Sequence, residues 1–575
     1  MNKDFWLEQI KKRKFFERAY VYAISYQIKE NDYCNFIEIA FYRQNKEKLF
    51  NEIEILFQNP TLYEPETAFS FYRPKSNMFF RRMIYTPFKD LVIKFIFVSV
   101  LAELLDFTFV KNCFSYRLDR NLDKKQKSKR YLYKPYYEGF KDFIAWQLAQ
   151  VENSTCMLKT DISSFYDSIS HEYLLSAISQ KLNITNESHF MILFGRTLKF
   201  TTCYYSIVDG KLCETYNSQG IPIGNAAEGF IANIFLNEVD EALFNLGINF
   251  GRYVDDFRFF TNTKTESLKA LIILQEFLLK RGLNLNTSKT KLIEAQEKII
   301  EFIQNSNKTG VYGMPCEEES YHEKKLEKKL DKTQIIKEID SGKASDKDEK
   351  FSYSKPYKQF IMHEIDDIDD EDKAGQLCQF LINLDNKIKN TILFSKHMEW
   401  LYILSKKYPQ HCNYYSWLFV KFISQDYSNA IQNISLKYLF KVFDDELVNI
   451  FIKTRIIHHL VKPRKGALTY IERIGMNTKL RNRIIEYITK LMKISCIALQ
   501  LNCIYAYYLI FRDGDHGHLQ DFVSHNLKRP IPKPIQQAVY QIGTLRENDS
   551  SGLVSFEEIL EESEIEDEAE GLNSK

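Results

Sequence analysis

The sequence has no Cys-x-x-Cys pair; its 10 cysteines are scattered over 575 residues. Without paired spacing, neither a zinc ribbon nor a disulfide framework organises the chain. With 20 glycines and 13 prolines, the chain also lacks the composition of a collagen-like or low-complexity protein. The opening MNKDFWLEQIKKRKFF has no apolar run of the kind a secretory leader needs, so a cytoplasmic protein is expected. Long uncharged runs are almost absent. The exception, 494–511, has 18 residues without a formal charge, enough in length to span a bilayer. Ser495, Gln500 and Asn502 interrupt it and no second span exists, so it reads as a buried core helix, and no membrane partner is expected.

What is present is ordinary globular material, 45% hydrophobic, 27% charged and 14% aromatic. Single cores stop growing at about 250–300 residues, so several domains are expected. The net charge of +2 hides an asymmetry. Residues 547–575 carry 11 Asp/Glu against one Lys, which leaves 77 basic and 65 acidic residues, a charge of +12, for 1–546. A basic body suits a polyanionic ligand, although a solvated acidic tail is also a common neutral feature.

Along the chain, 1–70 reads as an N-terminal helical segment and 71–154 as a basic region. Within the latter, 111–134 holds nine Lys/Arg against two Asp, with Tyr116, Tyr131, Tyr133, Tyr136 and Tyr137 in or beside it. Basic side chains track phosphates and aromatic faces stack on bases, so this is a candidate nucleic-acid surface; a solvated loop accounts for it equally well. Residues 155–300 alternate short apolar strands with helical runs, an α+β pattern. Residues 301–359 form a charged connecting segment, 360–545 a helical domain with apolar residues at helical spacing, and 546–575 an acidic tail expected to be disordered. Arg512 and His518 in RDGDHGH have the loose spacing of an Arg/His nuclease signature, but Gly514 and Gly517 should break the helix it needs, so a polar loop is expected.

Three aspartates stand in unusual settings. Asp161 ends the apolar run CMLKTD, and Asp255 and Asp256 are adjacent in RYVDDFRFF with strand formers on both sides. A carboxylate pair at a hairpin bend, facing a third at a neighbouring strand end, could hold two divalent ions for in-line phosphoryl transfer. A polar hairpin turn with an unrelated Asp elsewhere would explain the pair taken alone. The ordered set LKTDISSFYDSI, SQGIPIGNAAEG, GRYVDDFRFF and GLNLNTSKTKL, preceded by RPKSNMFFRRMIYTPFKDLV and FSYRLDRN, resembles motifs A to D and the fingers segments of the reverse transcriptase family.

That resemblance implies an α+β right-hand polymerase, with fingers over 71–154, a palm over 155–300, a thumb-like 301–359 and a large all-α C-terminal domain. It assigns Asp161, Asp255 and Asp256 to catalytic metals, Mg²⁺ or Mn²⁺, with the Ile162 carbonyl as a further ligand. Tyr166 matches the aromatic that disfavours a ribose hydroxyl, while Phe165 reads as a core residue. Gln219, Gly220, Pro222 and Gly224 match the motif B loop at the incoming nucleotide. Lys289 matches the lysine near the triphosphate, with Lys291 close enough to dispute the place; Lys75 and Arg82 match the basic pair that grips the triphosphate, with Arg81 competing for the second position. The implied partners are deoxynucleotides, RNA (a non-coding RNA above all) and a DNA product. The motif B and YVDD sequences differ from those of RNA-dependent RNA polymerases, and no RNase H or Cys/His nuclease pattern follows. The chain resembles the bacterial abortive-infection and defence-associated reverse transcriptases, which implies antiviral defence with a non-coding RNA or protein-primed synthesis, and homo-oligomerisation through 360–545. A mobile-element enzyme of the retron or group II intron type and a catalytically vestigial RNA-binding scaffold are the alternatives.

Overall fold

The computed structural model describes residues 10–29, 32–76, 78–119, 131–206, 208–310, 378, 381, 391–424, 427–463, 468–511, 516–527 and 531–548. Most of the charged 301–359 segment, the first part of 360–545, Arg512 and the acidic tail lie outside them. Two compact units divide the chain: one from 1–73, 80–310 and 457–575, the other from 74–79 and 311–456.

The first unit opens with helices α1 (Arg13–Lys29), α2 (Phe36–Gln44) and α3 (Lys46–Gln58). Strands β1 (Ala68–Pro74) and β2 (Phe80–Tyr85) lead into α4 (Phe88–Leu105), whose residues are buried nearly all round. After α5 (Tyr136–Val151) come β3 (Cys156–Asp161), the single turn α6 (Phe165–Ser168), α7 (His171–Leu182) and α8 (His189–Leu198). A hairpin of β4 (Phe200–Tyr205) and β5 (Leu212–Asn217) precedes α9 (Ala226–Asn245), β6 (Phe250–Tyr253), β7 (Asp256–Thr261), α10 (Lys264–Leu279), β8 (Lys291–Glu294) and α11 (Gln296–Gly310).

Two four-stranded sheets result, ordered β2-β1-β4-β5 and β6-β7-β3-β8. In the first, β4 from the middle of the chain pairs in parallel with β1, so a hairpin between motifs A and B joins the sheet of the upstream strands. In the second, β3 is antiparallel to both β7 and β8 and therefore central. Its apolar residues are gathered with two helices: Met157 and Phe260 pack with Ile144 and Val151 of α5 and Ile299 and Ile303 of α11.

The C-terminal part of this unit is helical, with α16 (Tyr470–Met476), α17 (Thr478–Met492), α18 (Ile497–Ile510), α19 (His516–Asn526) and α20 (Lys533–Asn548). Helix α18 is the 494–511 run, buried as expected; no helix among the described residues is long and apolar enough to cross a membrane. Tyr505 of α18 stacks on Phe36 of α2 at 5.9 Å, which ties the end of the chain to its beginning. Helix α19 starts at His516, so Gly517 lies inside a helix and does not break one. A glycine in a helix costs only about 1 kcal/mol relative to alanine, which neighbouring packing can offset. The second unit is helical, with α12 (Thr391–Lys407), α13 (Cys412–Lys421), α14 (Asn429–Asp444) and the first turns of α15 (Ile450–Val461). There Tyr402 and Lys406 both donate to Asp445.

Candidate active site

Register places the three aspartates. Asp161 is the last residue of β3 and lies directly opposite Asp256, the first residue of β7. Asp255 occupies the turn between β6 and β7, and the Ile162 amide donates to its carbonyl at 3.3 Å. Val254 in the same turn has φ +57°, an uncommon conformation for a β-branched residue.

Two buried groups hold that turn. Ser115 Oγ accepts the Val254 amide hydrogen bond at 2.9 Å, and Arg252 Nη1 donates to the Val254 carbonyl at 2.7 Å. Arg252 is itself fixed by Asp240 of α9 (Nε to Oδ1, 2.9 Å) and by Asn233 Oδ1 (2.9 Å). Sequence reasoning passed over Arg252 and Asp240. No local signal marks them, because Asp240 lies between Glu238 and Glu241 and Arg252 is followed by Asp255, Asp256 and Arg258; only the fold shows that this pair is buried.

Burial and the adjacent Asp161 carboxylate push the Asp255 carboxyl up to about 6. Asp161 is 5% exposed and accepts from Lys289; Asp256 accepts from Arg258 and has Lys159 Nζ 3.7 Å away. Burial and the neighbouring Arg258 pull Lys159 down to about 8.

Hard oxygen donors suit Mg²⁺ or Mn²⁺, and the crowded Asp161–Asp255 pair has the donor chemistry for such an ion. No group of three or more His, Cys, Asp or Glu side chains converges as a metal cage among the described residues. The reason is visible at Asp256, whose carboxylate is engaged by Arg258. Asp161 is engaged in the same way by Lys289, so the three carboxylates have the donor chemistry for such ions and a bound ion would have to displace both cations. Ile162, buried and bridged to Leu285, lies next to Asp161 and Asp255, with its carbonyl in the backbone between Asp161 and the following turn.

The motif B residues are held against the segment that follows Asp161. The Ile221 amide donates to the Tyr166 carbonyl at 2.9 Å, and the Gly220 amide to the Ile169 carbonyl at 2.8 Å, so the motif B loop is laced to α6. Gly220 has φ +79°, and a Cβ there would sit 2.8 Å from the Asp167 carbonyl oxygen; only glycine fits. Gln219 Nε2 donates to the Ser168 carbonyl at 3.2 Å. Burial raises the Tyr166 phenol well above its ordinary value, with Tyr116 and then Asp255 adding to the shift. Arg82 lies over the Tyr204 ring at 5.9 Å and its charge acts on Asp167, which follows Tyr166. Arg81 is exposed. Lys289 is placed on Asp161 itself, and Lys291 on the neighbouring strand β8. Lys75 lies in the β1–β2 turn, where its amide donates to the Phe79 carbonyl at 2.8 Å; that turn belongs to the second unit.

A fingers-like sheet and a palm-like sheet with carboxylates at adjoining strand ends define a nucleotidyl-transferring class of architecture. Residues 82–340, under half of the chain, match the family described as reverse transcriptase (RNA-dependent DNA polymerase). This part of the chain is therefore similar to a reverse transcriptase domain, and the chain spans about half the length of the first of the solved structures it resembles. No curated protein matches the sequence. Among solved structures, it is similar to apo telomerase from Candida tropicalis truncated from its C-terminal domain, at 18% identity and a TM-score of 0.29, covering 40% of this chain and 50% of that one. It is also similar to apo telomerase from Candida tropicalis, at 12% identity and a TM-score of 0.31, covering 86% and 74%.

Proposed function

We propose that this protein copies RNA into DNA with Asp161, Asp255 and Asp256 as its catalytic carboxylates. The observation that carries the reading is the β3–β7 register, which sets Asp161 opposite Asp256 with Asp255 in the adjoining turn, within the residues that match the reverse transcriptase family. Paired Mg²⁺ or Mn²⁺ ions on these residues and the Ile162 carbonyl would stabilise the attacking and leaving oxygens of an in-line transfer. The protein's own part is placement. Tyr166 closes on the sugar and excludes a 2′-hydroxyl; Gln219 and Gly220 form the edge of the nucleotide pocket; Arg82 and Lys289 hold the triphosphate.

The test supplies an RNA template, an annealed primer and each nucleotide in Mg²⁺. Wild type is expected to extend with deoxynucleotides and to stop on chelation; extension that persists in the chelator would rule out the metal mechanism.

The sequence likeness to abortive-infection enzymes supports a role in antiviral defence, working with a non-coding RNA or priming on the protein itself. Cells carrying the locus should restrict a subset of a broad phage panel, and Asp255→Ala should abolish restriction. Identical plaque counts would remove the defence role while leaving the polymerase reading intact.

A further inference from the structure

We propose that the solvent face of α10 is a homodimer interface, on which a second copy of this chain docks its own α10 in antiparallel orientation.

The sequence gives α10 two faces. Ser267, Ala270, Leu274 and Leu278 are buried, and Ser267 Oγ shares a hydrogen bond of 2.6 Å with Thr261 Oγ1 of β7, which fixes the helix on the sheet that carries Asp161 and Asp256. The opposite face is not the polar one that a surface helix ordinarily turns to water. Leu268, Ile272 and Leu279 are 45%, 56% and 52% exposed, and with 3.6 residues per turn they fall within about 40° of one another, a single stripe along the helix. Phe244 and Leu246, at the end of the neighbouring α9, are exposed as well. Exposed apolar side chains are ordinary when scattered, whereas a stripe of them marks a surface that a partner covers.

Charge selects the partner. One flank of the stripe carries Glu266, Lys269, Glu276 and Lys280, all exposed, in the order acid, base, acid, base. Read backwards, that order is its own complement. In an antiparallel helix pair related by a two-fold axis each flank meets the same flank of its partner, and residue i faces j where j faces i. With the axis between Ile272 and Ile273, Lys269 meets the partner's Glu276 and Glu266 meets the partner's Lys280, each pair occurring twice. Neither Lys269 nor Glu276 has an ion-pair partner among the described residues. Glu266 accepts the Asn262 amide through Oε2 at 2.9 Å, and Lys280 Nζ lies 5.5 Å from the Phe277 ring centroid.

The apolar stripe supplies the attraction and the charges supply the orientation. A helix of 16 residues is about 24 Å long, so one helix pair makes a small interface and the dimer is a reversible one that forms as concentration rises.

The test is sedimentation velocity of the purified full chain over a concentration series at low salt, where exposed pairs are least screened, with melting temperatures recorded alongside. Wild type should pass from monomer to dimer. Ile272→Glu puts a charge in the stripe and should raise the dissociation constant at least about tenfold. Lys269→Glu and Glu276→Lys should each dimerise poorly, because each sets like charges face to face. An equimolar mixture of these two variants should dimerise as wild type does, since each offers the other opposite charges at both places. All three positions are exposed, so the melting temperatures should match. In an assembly larger than a dimer, Ile272→Glu should halve the mass. A wild type that stays monomeric overturns the proposal and leaves the face to another segment of the chain or to a different protein. Association that Ile272→Glu does not alter overturns it as well and points to another surface, such as 360–545. Absence of rescue in the mixture would contradict the antiparallel pairing. Nucleotide incorporation tests the polymerase reading separately, so the two stand or fall apart.

Discussion

Val254 is held at φ +57° immediately before Asp255, which we propose to be catalytic, and the strain is offset by an acceptor and a donor, Ser115 and Arg252. Removing Arg252 would leave Asp240 buried without its counter-charge, and breaking a buried pair from one side costs about 3–5 kcal/mol. Arg252→Met should therefore lower the denaturation midpoint steeply and reduce incorporation together. Ser115→Ala removes only one acceptor, so it should cost about 1–3 kcal/mol for the unpaired Val254 amide while the protein stays folded. Chemical denaturation of both variants measures the difference; equal midpoints would contradict this account of the turn. Tyr166 gives a second residue-scale expectation. Tyr166→Ala should raise ribonucleotide incorporation relative to deoxynucleotide incorporation, and an unchanged ratio would remove its assigned role at the sugar.

Between elements, backbone contacts matter more than side-chain chemistry. The motif B loop is attached to α6 through the Gly220 and Ile221 amides, and Gly220→Ala must push a Cβ into the Asp167 carbonyl at a positive φ. The expected outcome is a strain cost of about 1–3 kcal/mol and a raised KM for the nucleotide, read by thermal melting and steady-state kinetics. Helix α2 meets β2 and α4 at a buried acid, Glu38, which accepts from Tyr85 Oη at 2.9 Å and from the Phe88 amide at 2.8 Å. Burial, reinforced by Glu66, pushes its carboxyl up to about 8. A carboxyl whose folded value exceeds its unfolded one binds its proton more tightly when folded, so its contribution to stability is greatest below the unfolded value of about 4.3 and is lost as pH rises towards 8. Glu38→Gln keeps an acceptor for both donors and removes the titration. The fall in melting temperature between pH 5 and pH 8 should be smaller in this variant than in wild type; an equal fall would show that Glu38 is charged throughout.

The motif-bearing elements were legible in the sequence because each carries a local signal: CMLKTD ends a strand, RYVDDFRFF bends into a hairpin, and glycine marks the loop before α9. What escaped was set by distant partners. Nothing local in FTTCYY states that it will pair in parallel with β1. Asp256 was expected to face its fellow carboxylates, and its turn towards Arg258 follows from an ion pair two residues along its own strand.

At the scale of the whole molecule, N-terminal helices, both sheets and the last helices form one unit, with Phe36 against Tyr505 and Tyr205 Oη donating to Gln500 at 3.4 Å. Truncation before α18 should therefore expose α2 and lower the stability of the catalytic unit, which a melting curve of a chain ending at residue 493 would show; an unchanged transition would contradict that dependence. Self-association through the helical region 360–545 is our proposal, to be read from the mass of the purified protein by light scattering with and without RNA, and a monomer under both conditions would end it. The central claim is the role of the three aspartates, and a single-turnover assay addresses it most directly. Wild type, Asp161→Asn, Asp255→Asn and Asp256→Asn would each be mixed with primer annealed to RNA, one matching deoxynucleotide and Mg²⁺, with melting temperatures recorded alongside. The account predicts incorporation by wild type, background levels in all three variants, and melting temperatures that show each variant to be folded; incorporation at the wild-type rate by any folded variant would contradict it.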